Sequence, residues 1–400
     1  MFGAISGGVE LALRSGAAPI VLGARWMRRR GRRRRQRGIP TVRRGLTIAS
    51  KIALDEFFFA TELVSATIVS RRDRQRVAQE VEDSLALFAA RGWLDDPAAY
   101  HDSPPPLEAT SFDEVAGPGL AYRHLRFASD YEPHPGEPGR ERWLGYEANR
   151  TAHAWIMKHP GRMRPWLVCI PGYRMGRPVV DFTGFRARWL HQTLGLNVAI
   201  PVLPLHGPRS IGWRGGDGFL TGDFVDTVHA QAQAIWDVRR LIGWLRSQGA
   251  PAVGAYGVSL GGYTTALLAS LEENLDCVIV GVPAADFVRL MRAHLPDFLI
   301  RAATRIGFSF DNAERLLRVV SPLALPPRVP HDRRFLFAGL ADHLATPDHA
   351  RDLWLHWQRP RIAWYQGSHV SFLWEPEVES LVREAVIATG LAPRNLPQLG

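Results

Sequence analysis

The sequence predicts an α/β fold: a mainly parallel central sheet flanked by helices, with a helical N-terminal extension and a late helical insertion. Three observations predict it. Short, near-continuous apolar runs alternate with amphipathic helical stretches, as strands buried on both faces and their crossovers should. A glycine-flanked serine, Gly257-Val-Ser259-Leu-Gly261, stands where one such run turns into a helix. Asp342 and His369 then follow in that order, each just past a later apolar run.

Residues 1–45 form a mildly apolar stretch and then a basic one. Eleven arginines and no acid fall within 25–44, leaving 38 basic residues against 39 acidic ones elsewhere, so the net charge of +10 belongs to this segment. Only Lys51 and Lys158 are lysines, which makes arginine the default cation of the chain. The segment reads as a solvated tail, as a contact for an anionic membrane surface, or, as the weakest reading, as a nucleic-acid contact. Glu10, Arg14 and Pro19 break the preceding apolar stretch well short of the ~20 residues a membrane span requires. Its positive charge follows the apolar residues, the reverse of a secretory signal, so a cytoplasmic body with membrane association is expected.

Residues 46–119 read as a helical hairpin and a linker. Ile48 to Ser70 carries an apolar face with Phe57, Phe58, Phe59, Leu63 and Val64, while Asp55, Glu56 and Glu62 argue against a span. Arg72 to Arg91 has Val77, Val81, Leu85 and Phe88 at helical spacing and ends at Gly92. Pro97 to Gly119, with its Pro104-Pro-Pro106 run, reads as the linker.

From 120 to 400 the pattern is that of one α/β domain. Tyr122–Phe127 and Thr151–Met157 alternate like antiparallel strands; Trp166–Ile170 and Val198–Leu203 are buried-strand runs. His206, in the turn after the latter, reads as a structural loop residue beside the site. Gly222 to Gly249 holds a long amphipathic helix that crosses over to the strand before Ser259. Cys277–Val282 is the next strand. Residues 287–330 then read as short apolar helices (Phe287–Leu295, Phe298–Ile306, Asn312–Val320), either a cap whose Leu290, Met291, Leu295, Phe298 and Leu299 line a pocket, or an excursion away from it. Arg334–Ala338 and Arg361–Tyr365 are the last strands, separated by a helix for which Thr346 is the N-cap and Pro347 the first turn. Cys169 and Cys277 fall inside strands as buried small hydrophobes and suggest no disulfide. No Cys/His spacing suggests a metal, and no phosphate-binding glycine motif suggests a nucleotide.

A serine hydroxyl is a weak nucleophile and needs an adjacent base, itself oriented by a third group. The order serine, acid, histidine on successive strand ends resembles the α/β-hydrolase superfamily over residues 120–390. The resemblance implies Ser259 as nucleophile, Asp342 of Gly339-Leu-Ala-Asp342-His-Leu-Ala-Thr-Pro347 as acid, and His369 of Gly367-Ser-His369 as base. Some members place the acid one strand earlier, which makes Asp286 the alternative. It also implies an oxyanion hole of two backbone amides, Leu260 and one near Tyr173, although Gly172 here lacks the preceding histidine common in lipases. No cofactor is implied. The expected function is hydrolysis of a carboxylic ester, including lipid or other apolar acyl substrates. Acyl transfer, thioester or peptide cleavage on the same residues, or a non-catalytic scaffold with a basic binding tail, are the alternatives.

Overall fold

The computed structural model describes residues 38–394 apart from 44, 64–70, 118–119, 221, 296–299, 302–303 and 306–307. The basic segment up to residue 37, the end of the first expected helix, and Phe298 and Leu299 of the expected pocket lining lie outside the described residues.

In chain order the strands are β1 (Ser111–Gly117), β2 (Leu120–Ala128), β3 (Thr151–Met157), β4 (Trp166–Ile170), β5 (Asn197–Pro201), β6 (Val253–Val258), β7 (Cys277–Gly281), β8 (Arg334–Gly339) and β9 (Arg361–Tyr365). They form one sheet in the order β1-β2-β3-β5-β4-β6-β7-β8-β9. The pairs β1–β2, β2–β3 and β3–β5 are antiparallel, and all pairs from β5 to β9 are parallel. Strands β4 to β8 are buried along their whole length, which is why they read as continuous apolar runs rather than alternating ones.

The helices are α1 (Leu46–Leu63), α2 (Arg71–Ala90), α3 (Arg140–Leu144), α4 (Pro178–Gly184), α5 (Phe224–Ser247), α6 (Leu260–Leu271), α7 (Phe287–His294), α8 (Phe310–Leu317), α9 (Pro347–His356) and α10 (Pro376–Ala388). They cover both faces of the sheet. Residues of α2, α5, α6 and α8 pack on one face, and those of α4 and α10 on the other. Cys169 and Cys277 are buried and unpaired in β4 and β7. No helix among the described residues is long and apolar enough to cross a membrane.

Three readings change. The expected linker contains β1, which extends the sheet by pairing Phe112 with Leu125 and Val115 with Tyr122. The composition around it, rich in proline, hides a strand that has only one hydrogen-bonded neighbour. The expected helical hairpin is instead two helices with separate docking places. Helix α1 lies against the turn at Val370–Trp374, whereas α2 lies against α5 and α8. The late insertion also divides. Helix α8 buries Phe310, Ala313, Leu316 and Leu317 in the body, while α7 reaches the acid turn through His294, whose Nε2 meets Leu344 O at 2.8 Å.

Candidate active site

The elbow follows from its glycines. Ser259 sits between β6 and α6 with φ 57° and ψ −116°, a strained conformation for a residue with a side chain. Its N–H donates to Gly281 O of the neighbouring strand at 2.9 Å, which pins the strained residue to the sheet. A Cβ on Gly257 would lie 2.1 Å from Gly261 O, and one on Gly261 would lie 1.9 Å from Ile170 O. Both contacts are with backbone, which cannot swing aside. Gly261→Ala should therefore cost more than the usual glycine-to-alanine effect, about 3 kcal/mol or more, read as a lowered urea midpoint; a change below about 1 kcal/mol would contradict this packing.

The acid and histidine turns meet at the same edge of the sheet. His369 Nδ1 lies 2.7 Å from Asp342 Oδ2, and both residues are buried. Asp342 Oδ1 accepts the N–H groups of Leu344 (2.8 Å) and Ala345 (2.9 Å), so its other oxygen is held toward the ring. The motif glycines allow this closeness: a Cβ at Gly339 would lie 2.7 Å from Gly367 O, and one at Gly367 would lie 2.2 Å from Ser371 Oγ. Burial raises the Asp342 carboxyl above its ordinary value, and its pairing with His369 works against that rise. Burial would lower the imidazole, but the charge and hydrogen bond of Asp342, joined by the charge of Asp55, outweigh it and hold His369 above 6.5. Thr346 is at the N-cap position of α9 as expected, yet its side chain makes no capping bond.

Asp286 is not brought to the histidine. It is the N-cap of α7, where its Oδ1 accepts Arg289 N–H at 2.9 Å. No hydrogen bond joins Ser259 to the imidazole among the described residues, whose Nδ1 goes to Asp342; contacts of this kind commonly tighten only around substrate.

On the opposite side of Ser259 lies the turn after β4. A Cβ on Gly172 would stand 3.3 Å from Ser259 Cβ, a tight contact, so the turn passes close beside the elbow. The next residues are Tyr173 and Arg174. Arg174, at φ 68°, bonds Asp217 (2.6 Å) and Gly215 O (3.0 Å), fixing the turn from outside. Buried Asp181 fixes its far end by accepting Gly176 N–H (2.8 Å) and Trp155 Nε1–H (2.7 Å). Leu260 is the first residue of α6, so its N–H has no helical acceptor and points from the positive end of the helix. His206 is a buried loop residue: its Nδ1 bonds Pro204 O at 2.8 Å and its ring packs on Tyr173 and Phe219.

One residue at this edge reads from sequence only as an argument against a membrane span. Asp55 of α1 is fully buried and accepts N–H groups from both the acid turn and the histidine turn. The only local signal is an acid set in the middle of an apolar helix. Among the described residues no cluster of three His, Cys, Asp or Glu could hold a metal ion.

No family model matches the chain. It is 41% identical over 360 residues to an uncharacterized protein of Mycobacterium tuberculosis, in each of two strains, covering 89% of this chain and 86% of the relative. The chain belongs to one family with these proteins. Among solved structures, acetyl xylan esterase 1 from Thermoanaerobacterium sp. JW/SL YS485 is similar in fold, with a TM-score of 0.52 and 16% identity, covering 75% of this chain and 93% of that one. The strand order, the elbow and this likeness agree. The chain has the α/β-hydrolase fold. Within that fold, β2 to β9 make the sheet around the elbow and β1 adds a strand at its antiparallel edge.

Proposed function

We propose that this α/β-hydrolase fold protein is a serine hydrolase of carboxylic esters, with Ser259 as nucleophile, His369 as base and Asp342 as its orienting acid. The observation that carries the reading is the 2.7 Å bond between His369 Nδ1 and Asp342 Oδ2 at the sheet edge that also bears the strained serine. His369 Nε2 takes the Ser259 proton as Oγ attacks the ester carbonyl. Asp342 keeps the proton on Nδ1 and stabilises the imidazolium. The amides of Leu260 and Tyr173 receive the oxyanion, each donor contributing about 3–4 kcal/mol in a well-studied protease. The imidazolium then protonates the leaving alcohol, and water, deprotonated by His369, releases the acyl group from Ser259.

The base must be neutral, and its pKa is held above 6.5, so activity should fall as pH drops through a value above 6.5. The test is labelling by a fluorescent fluorophosphonate across pH. Wild-type protein should label, more slowly as pH falls, and His369→Ala should not. A folded wild-type protein that takes no label would overturn the reading. For location, the proposal is a cytoplasmic body whose segment 1–44 touches anionic membrane, supported by the arginines over 25–44.

A further inference from the structure

We infer that Asp55 is a positioning residue for this site: a carboxylate on an N-terminal helix that ties the acid turn and the histidine turn into one rigid unit. The inference rests on Ser259, Asp342 and His369 acting as proposed above.

The geometry is specific. Asp55 Oδ2 accepts His369 N–H at 2.9 Å and His343 N–H at 3.0 Å, and Oδ1 accepts Val370 N–H at 3.2 Å. One carboxylate thus holds the backbone of the base itself and of the residue after the acid. A buried carboxylate is costly unless hydrogen-bonded, and three backbone donors offset that cost only when both turns are in place. Val370 opens a short turn, Val370–Trp374, whose first N–H groups lack helical acceptors. Asp55 supplies the missing acceptors from outside the domain's own sequence run.

The rest of the same helix face ends on these two turns. Lys51, one turn earlier, bonds Gln366 O (3.1 Å) and Glu375 Oε1 (2.6 Å) on the histidine side. Glu56 pairs with His343 Nδ1 at 2.8 Å on the acid side. Phe59, one turn later, packs its ring 4.7 Å from that of His294, which holds Leu344 O. Loops that leave strand ends are the parts of a fold most prone to open locally. Here α1 removes that freedom from both, so the distance between acid and base does not depend on the turns alone.

The titratable groups directly around His369 are Asp342, Asp55 and, from α9, His349, which burial holds neutral with a pKa of about 3. Behind them stand Glu56 and His343, Lys51 and Glu375, and the Tyr365 hydroxyl, which donates to Ser368 O. Replacing Asp55 with its amide removes one of the two negative charges facing the imidazole and sets an NH2 against backbone donors.

The experiment uses full-length protein. Asp55→Asn is compared with wild type for its second-order labelling rate by a fluorophosphonate, for p-nitrophenyl butyrate hydrolysis, and for the pH dependence of both. A folded variant should lose about 10- to 100-fold in rate, the size expected of a misplacement of order 1 Å, and its acidic limb should move to lower pH. A role in stability alone would lower the melting temperature and leave the folded protein's rate on the pH plateau at the wild-type value; that result overturns the inference. Should Asp55→Asn fail to fold, amide exchange in wild-type protein decides. The amides of His343, His369 and Val370 should exchange together with the central turn of α1, and exchange well ahead of that helix overturns the clamp. Wild-type protein inert to the fluorophosphonate would instead sink the hydrolase reading, with the exchange result still reporting whether α1 holds the turns.

Discussion

Ser259→Ala should lower ester turnover by about 10⁶-fold, the loss seen when the nucleophile of a comparable serine enzyme is removed, while the protein stays folded. The second half of that expectation comes from the backbone. Ser259 is half-buried and held at φ 57°, and its side chain makes no capping bond in α6, so removing the hydroxyl takes no cap from the helix. Ser259→Gly should therefore be equally inactive and about 1 kcal/mol more stable than wild type, since glycine enters this region without a Cβ penalty. Urea unfolding alongside a p-nitrophenyl ester assay reads both effects. Activity within tenfold of wild type in either variant would remove Ser259 from the chemistry.

The second large effect separates the two candidate acids. Asp342→Asn should cost about 10⁴-fold in turnover, because an amide that still accepts from Leu344 and Ala345 turns its NH2 toward His369 Nδ1 and selects the wrong tautomer. Asp286→Asn should leave turnover near wild type, since asparagine caps a helix about as well as aspartate; Asp286→Ala should instead lose about 0.5–2 kcal/mol of stability with the cap of α7. Steady-state kinetics on the two asparagine variants decide it. A large loss in Asp286→Asn with little in Asp342→Asn would return the acid to the end of β7.

The two acids show how far local reading reaches. Both follow a buried strand, and the residues around each are compatible with a cap or with an acid. What separates them is where His369 lies in space, which depends on the path of the chain after β9. The late insertion has the same character. Its short apolar helices have one face each, and an apolar face does not say whether it meets a substrate or the body. For α8 the partners are α2 and α5.

The buried strands, the elbow and the order of the strand-end residues were legible in the sequence. Each of these is local: a doubly buried strand must be apolar throughout, and a strained turn with backbone on either side must carry Gly257 and Gly261. Tertiary structure alone decided that the proline-rich stretch ends in β1, since an edge strand is made by its neighbour. It alone decided the role of Asp55, whose backbone partners lie 288 to 315 residues away. A buried acid in an apolar helix looks like a flaw until its donors are in view. No spacing rule links a helix near the N-terminus to two turns at the far end of the chain; only the packed sheet edge brings them within hydrogen-bond distance.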